Sequence, residues 1–264
     1  MIKAVSKAFL VGGFGLLAGC HACQHQAASK AAPDRVSPAE VAVPTFNAEH
    51  LNRSPGEPAV GGRHQTPTPA ARMQFHFVEA EKLRSAVVAG EPIRALADAR
   101  RLREDNWTPQ LKETWKPHIG AIQAAAGRFV SAENTRAAGR AVGELGAACA
   151  ACHVQLGSPT VPPSGGVTAA TEPMEQHAVA VERLWWGLFT PNDAAWTEGA
   201  TALARAPTTR SDVVAVDDAA RQITDLANQA ATCAATNRPQ VFGELLATCA
   251  SCHRLAGVEA EGTR

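Results

Sequence analysis

Apolar positions along this chain recur at steps of three and four residues, the spacing that lines up one face of an α-helix. The clearest stripe is Met73, His76, Ala80, Leu83 and Val87, in which one polar ring interrupts an otherwise apolar face. A second stripe, Met174, His177, Val181, Leu184 and Leu188, repeats that make-up. No stretch alternates with the period of two that a half-buried strand requires. Taken along the chain, the pattern predicts helices over about 72–89, 92–104, 108–129 and 132–156, then over about 173–189, 192–205, 210–233 and 238–256. Pro92 and Pro109 fall near helix starts, where a missing amide is tolerated, and Gly90 separates the first two helices. Pro191, Pro207 and Pro239 punctuate the second set, with Asn237 as the expected N-cap before Pro239.

The two sets are copies of one another. MQFHFVEAEKL, from Met73, aligns with MEQHAVAVERL, from Met174, at an offset of 101, and the C-terminal ends align at an offset of 100. Between the copies lies a stretch with Pro159, Pro162, Pro163, Gly165 and Gly166, the composition of a linker. An internal repeat of this length governs the architecture. The expected fold is all-α, two tandem four-helix bundles at 72–157 and 173–257, joined by a linker at 158–172 and followed by a tail at 258–264.

The last helix of each copy carries Cys-x-x-Cys-His: Cys149, Cys152 and His153, then Cys249, Cys252 and His253. That pattern marks covalent attachment of a c-type haem, with the histidine as the proximal iron ligand. On a helix, residues three and four apart share a face, so both sulfurs and the imidazole meet one macrocycle. Gly-Glu-Leu precedes both motifs at the same distance, and Gly157 and Gly257 stand four residues past each histidine, where a helix C-cap belongs. A thioredoxin-like site would need a βαβ context, and a zinc site would need its cysteine pairs close in sequence. Neither condition holds. Cys20-His21-Ala22-Cys23 has Gln24 where the ligand would stand, so the count is two haem c groups, not three.

The amino terminus has Lys3 and Lys7 and then an apolar run, Ala8 to Ala18, of signal-peptide length and too short to span a bilayer. Leu17-Ala18-Gly19-Cys20 resembles the bacterial lipoprotein signal. The resemblance implies removal of residues 1–19, lipidation of Cys20, and a periplasmic protein anchored to a membrane. The alternative is an ordinary signal peptide cut near the same place. Residues 20–71, rich in Ala, Pro, Gly and small polar side chains, read as a disordered tether.

A four-helix bundle with Cys-x-x-Cys-His near its C-terminal end is similar to the class II c-type cytochromes, the cytochrome c′ and c-556 group. The resemblance covers each repeat over its whole length. It implies a proximal ligand from the last helix and a distal face formed by the first, with a methionine ligand in some members and an apolar blocker in others. This chain differs in being duplicated, and Val154-Gln155-Leu156 lacks the basic residue often found just past the motif.

Three groups are therefore candidates opposite each iron: His76 and His177, Met73 and Met174, or nothing. The histidines recur at the same position in both copies. A lone histidine in an apolar stripe is otherwise a hydrogen-bonded core residue, and methionine is a common core filler. Two protein ligands per iron favour electron transfer between a donor and an acceptor redox protein in the envelope. An open face favours binding of NO or CO. A peroxidase-like activity would need a distal acid–base pair beyond the histidines, so no enzyme is expected. The 25 basic and 25 acidic residues balance, which gives no reason to expect nucleic acid as a partner. Cys233 reads as a small buried residue and the tryptophans as packing. With about 85 residues, each bundle alone has a marginal core, so haem and fold should support each other.

Overall fold

The computed structural model of the chain describes residues 69–105, 113–157, 172–206 and 212–258. The segment 1–19, Cys20, and nearly all of the expected tether, linker and tail lie outside the described residues. Among the described residues there are eight α-helices and no strand. They are α1 (Pro69–Val88), α2 (Leu96–Glu104), α3 (Lys116–Val130), α4 (Thr135–Leu156), α5 (Pro173–Phe189), α6 (Asp193–Arg205), α7 (Val214–Thr232) and α8 (Arg238–Ala256). None of them is long and apolar enough to cross a membrane.

The ends follow from local chemistry. Asn134 and Asn192 cap α4 and α6, their side chains accepting from the amides of Ala137 and Ala195, both at 2.9 Å. Gly157 and Gly257 close α4 and α8 in the left-handed conformation, φ 58° and 67°, which a residue with a Cβ adopts only at a cost. Two expectations are met only in part. The helix expected from Pro92 opens as a short 3₁₀ turn, Pro92–Ala95, before α2. Asn237 occupies the N-cap position of α8 as expected, but its side chain makes no capping bond; it also ends the 3₁₀ turn Ala235–Asn237, which leads the chain into the helix.

Sequence neighbours pack side by side within each repeat, α1 to α4 and α5 to α8, and α4 also lies along α8. Buried side chains from both repeats, among them Leu83, Phe129, Leu145, Trp185, Leu203 and Phe242, form one continuous core. At about 1.5–3 kcal/mol for each large apolar side chain buried, this shared interior is the main source of stability.

The approach of α4 to α8 is very close. A Cβ on Gly139 would lie 2.5 Å from the Gly243 carbonyl oxygen, one on Gly243 would lie 2.8 Å from that of Gly139, and one on Gly143 would overlap the Pro239 carbonyl. An offset of 100 carries the pair 139–243 into 239–143, so the crossing has pseudo-twofold symmetry. Arg140 and Arg136 on α4 reach Glu244 on α8 at 2.8 and 3.2 Å, exposed pairs worth at most about 1 kcal/mol each.

One polar cluster, present in the first repeat alone, distinguishes it from the second. Glu79 on α1 and Asp98 on α2 lie together with Lys82 and Arg101. Burial, and then the neighbouring Asp98, push the Glu79 carboxyl up. Burial also opposes charge on Asp98, but the hydrogen bond from Glu79 and the two cations outweigh it and hold its pKa below the usual value. The second repeat has Ala180 and Gly199 at these positions.

Candidate functional site

The motif residues sit in the last two turns of α4 and α8. Burial, and then the adjacent Cys152, push the Cys149 thiol up to about 12. Cys249 is pushed up to about 12 in the same way by burial and Cys252, and burial raises Cys152 and Cys252 as well. Redox-active and metal-binding thiols have lowered pKa values, so these four have the opposite character.

The imidazoles are held by backbone. His153 Nδ1 lies 2.9 Å from the Phe189 carbonyl oxygen, and His253 Nδ1 lies 3.1 Å from that of Val88. A carbonyl only accepts, so each Nδ1 carries the hydrogen, and in the neutral ring Nε2 is left with its lone pair. Burial lowers the His153 pKa, which favours that neutral ring. A ligand histidine that donates its other N–H to a carbonyl is the usual arrangement at a metal site. Both acceptors belong to the opposite repeat. Val88 is the last residue of α1 and Phe189 the last of α5, equivalent positions at the offset of 101.

In the first repeat a small apolar cavity, about 60 Å³, brings Met73, His76, Phe77, Ala80 and Ile122 together with Cys149, Cys152 and His153, and with Trp185 and Phe189 from α5. Met73, His76 and Ala80 of the α1 stripe thus line the same cavity as the first motif. Small-molecule pockets start at roughly 300 Å³, so seating a macrocycle displaces wall residues, with the half-buried Met73 and Phe77 the readiest to yield. The Trp185 indole N–H is buried without an acceptor. An orphan donor of this kind costs about 1–3 kcal/mol, and a bound group with a carboxylate would satisfy it. The tautomer of His153, the two cysteines beside it and the apolar walls fit haem. Among the described residues no cluster of three or more His, Cys, Asp or Glu gathers to hold a bare metal ion, as a zinc site would.

No family model, curated protein or solved structure matches this chain. The case for a cofactor therefore rests on the chain's own residues.

The distal candidates are placed unequally. His76 is 5% exposed, and its Nε2 lies 2.8 Å from Asp105 Oδ2. Burial lowers its pKa, while the hydrogen bond and charge of Asp105 pull the other way. Met73 shares the cavity. In the second repeat His177 is half-buried, and Met174, 52% exposed, stands outside any buried site. Cys233 is half-buried with its Sγ 3.5 Å from the Ala230 carbonyl, in keeping with a packing role. Two features escaped the sequence reading. Asp105 is 29 positions from His76 and belongs to no motif. The two carbonyls are backbone atoms, invisible to residue type, although their place at helix ends marks them as acceptors without an intrahelical partner.

Proposed function

We propose that the chain is a dihaem c-type cytochrome that passes electrons between a donor and an acceptor protein in the bacterial envelope. In this reading it is two tandem four-helix haem-binding units, similar to class II cytochromes, exported and anchored through lipid on Cys20. The observation that carries it is the paired histidine geometry: in both motifs Nδ1–H is given to a helix-end carbonyl, leaving Nε2 to an iron. Haem held by thioether bonds supplies a one-electron iron couple. Cys149 and Cys152, then Cys249 and Cys252, tether the groups. His153 and His253 serve as proximal ligands. The apolar walls around the first site would shield a bound haem from water. His76 and His177 are the favoured distal ligands.

A second reading has a specific observation in its favour. Asp105 holds His76 Nε2, the atom that would ligate iron. If that bond persists in the loaded protein and Met73 does not take its place, the first site has an open face and binds NO or CO.

Absorption spectra of the haem-loaded protein, oxidised and reduced, with and without CO, separate the two. Electron transfer predicts low-spin bands that CO does not move, and conversion of a site to high spin in His76→Ala or His177→Ala. A high-spin, CO-shifted spectrum of the unaltered chain contradicts it and promotes gas binding.

A further inference from the structure

The two motif histidines are each held by the opposite repeat, and the equivalence of the holding atoms is the feature with the widest consequence. We propose that Val88 O and Phe189 O are reciprocal positioning groups: the first helix of each repeat orients and tunes the proximal ligand of the other, so the two haem sites form one coupled unit. This rests on the cytochrome reading above and goes beyond it.

The geometry is the same twice over. His153 on α4 donates to the last carbonyl of α5, and His253 on α8 donates to the last carbonyl of α1. Carbonyls in the last turn have no amide four residues on to bond, and they carry the negative end of the helix dipole. Both features strengthen acceptance from an imidazole N–H. The bond makes Nε2 a stronger donor to iron, which favours the ferric state and lowers the potential. Packing supports the exchange. Gly90, just past α1, has the Arg254 side chain and the Ala250 carbonyl of α8 as its nearest neighbours, where a Cβ would meet them at 3.4 and 3.6 Å. On the other side, Phe189 lies edge-on to His153 with ring centroids 6.2 Å apart. Since α1 also lines the first cavity through Met73, His76, Phe77 and Ala80, one helix touches both sites. Motion of α1 at the first haem is transmitted to the ligand of the second.

The test uses two matched substitutions in the full chain, Ala89→Pro and Thr190→Pro. A proline pushes the residue before it out of helical conformation, which swings the Val88 or Phe189 carbonyl away. Each removes one helix-end amide bond, Ala89 to Ser85 or Thr190 to Trp186, and Thr190→Pro also removes the Thr190 hydroxyl bond to the Trp186 carbonyl, so the direction of each shift is read rather than its size. Redox titration is done in chains holding one haem, made with Cys249→Ala/Cys252→Ala or with Cys149→Ala/Cys152→Ala. The expected result is crossed: Thr190→Pro raises the potential of the haem at Cys149 and Cys152, and Ala89→Pro raises that of the haem at Cys249 and Cys252. A tenfold loss in the ferric preference corresponds to about 59 mV for a one-electron couple. Shifts confined to the haem of the substituted repeat, or no shift, overturn the proposal.

Should the prolines prevent folding, nuclear Overhauser contacts in the unaltered ferrous protein, with CO added to make any open site low-spin and diamagnetic, decide the matter. The His153 Nδ1 proton should contact Phe189 and Thr190, and the His253 Nδ1 proton Val88 and Ala89. Contacts of each histidine with the first helix of its own repeat instead overturn the reciprocity alone. A wild-type chain with no covalent haem overturns the cytochrome reading itself.

Discussion

Asp105 and an iron would compete for one atom of His76, and the outcome sets what the first site does. Burial is the largest influence on this ring and lowers its pKa below the usual 6.5, although Asp105 pulls the other way. The sign for stability follows. His76 contributes fully above the unfolded value, and its contribution is lost as pH falls through the lower folded value. Ligation needs the neutral ring, so low-spin character at the first site should persist below pH 6.5 and give way only in more acidic solution. Asp105→Ala removes both raising influences and releases Nε2. It should increase the low-spin fraction and move the acid transition lower, as read by absorption across a pH series. An unchanged spin state and transition in Asp105→Ala would show that Asp105 does not regulate the ligand. None of this pairing is legible in the sequence, because His76 and Asp105 are 29 positions apart and nothing in their neighbours marks them as a pair.

At the scale of elements, α4 and α8 form the hinge of the account, since both motifs ride on helices that cross at glycine. Gly143→Ala would drive a Cβ into the Pro239 carbonyl. Overpacking against backbone costs about 1–3 kcal/mol or more, because no side chain is available to yield. Gly120 on α3 is the control: a Cβ there meets nothing within 4 Å, so Gly120→Ala should be neutral or stabilise by up to about 1 kcal/mol. Denaturant midpoints compare the two directly, and equal effects would contradict the crossing. The helices themselves were legible from periodicity and caps, with α5 and α8 matching the expected bounds. The crossing was not. Glycine in Gly-Glu-Leu was visible in both copies as a repeated flank, but periodicity within a helix does not say which other helix its smallest residues approach.

Among the described residues the two repeats pack into each other. One continuous core runs through both repeats, and the carbonyl that holds each motif histidine comes from the other copy. Sequence alignment of the copies showed that they are alike, and likeness carries no information about how two copies pair. The cysteine and histidine positions, by contrast, were fixed by motif spacing alone, because covalent attachment demands those residues three and four apart wherever the helix lies. The central claim is that each motif carries one covalent haem. It is tested most directly by the pyridine haemochrome spectrum of the purified, denatured chain after acid–acetone extraction of any loose haem. Two haems per chain are expected, falling to one in Cys149→Ala/Cys152→Ala and in Cys249→Ala/Cys252→Ala. Colour that extracts completely, or a count the cysteine substitutions leave unchanged, would contradict it.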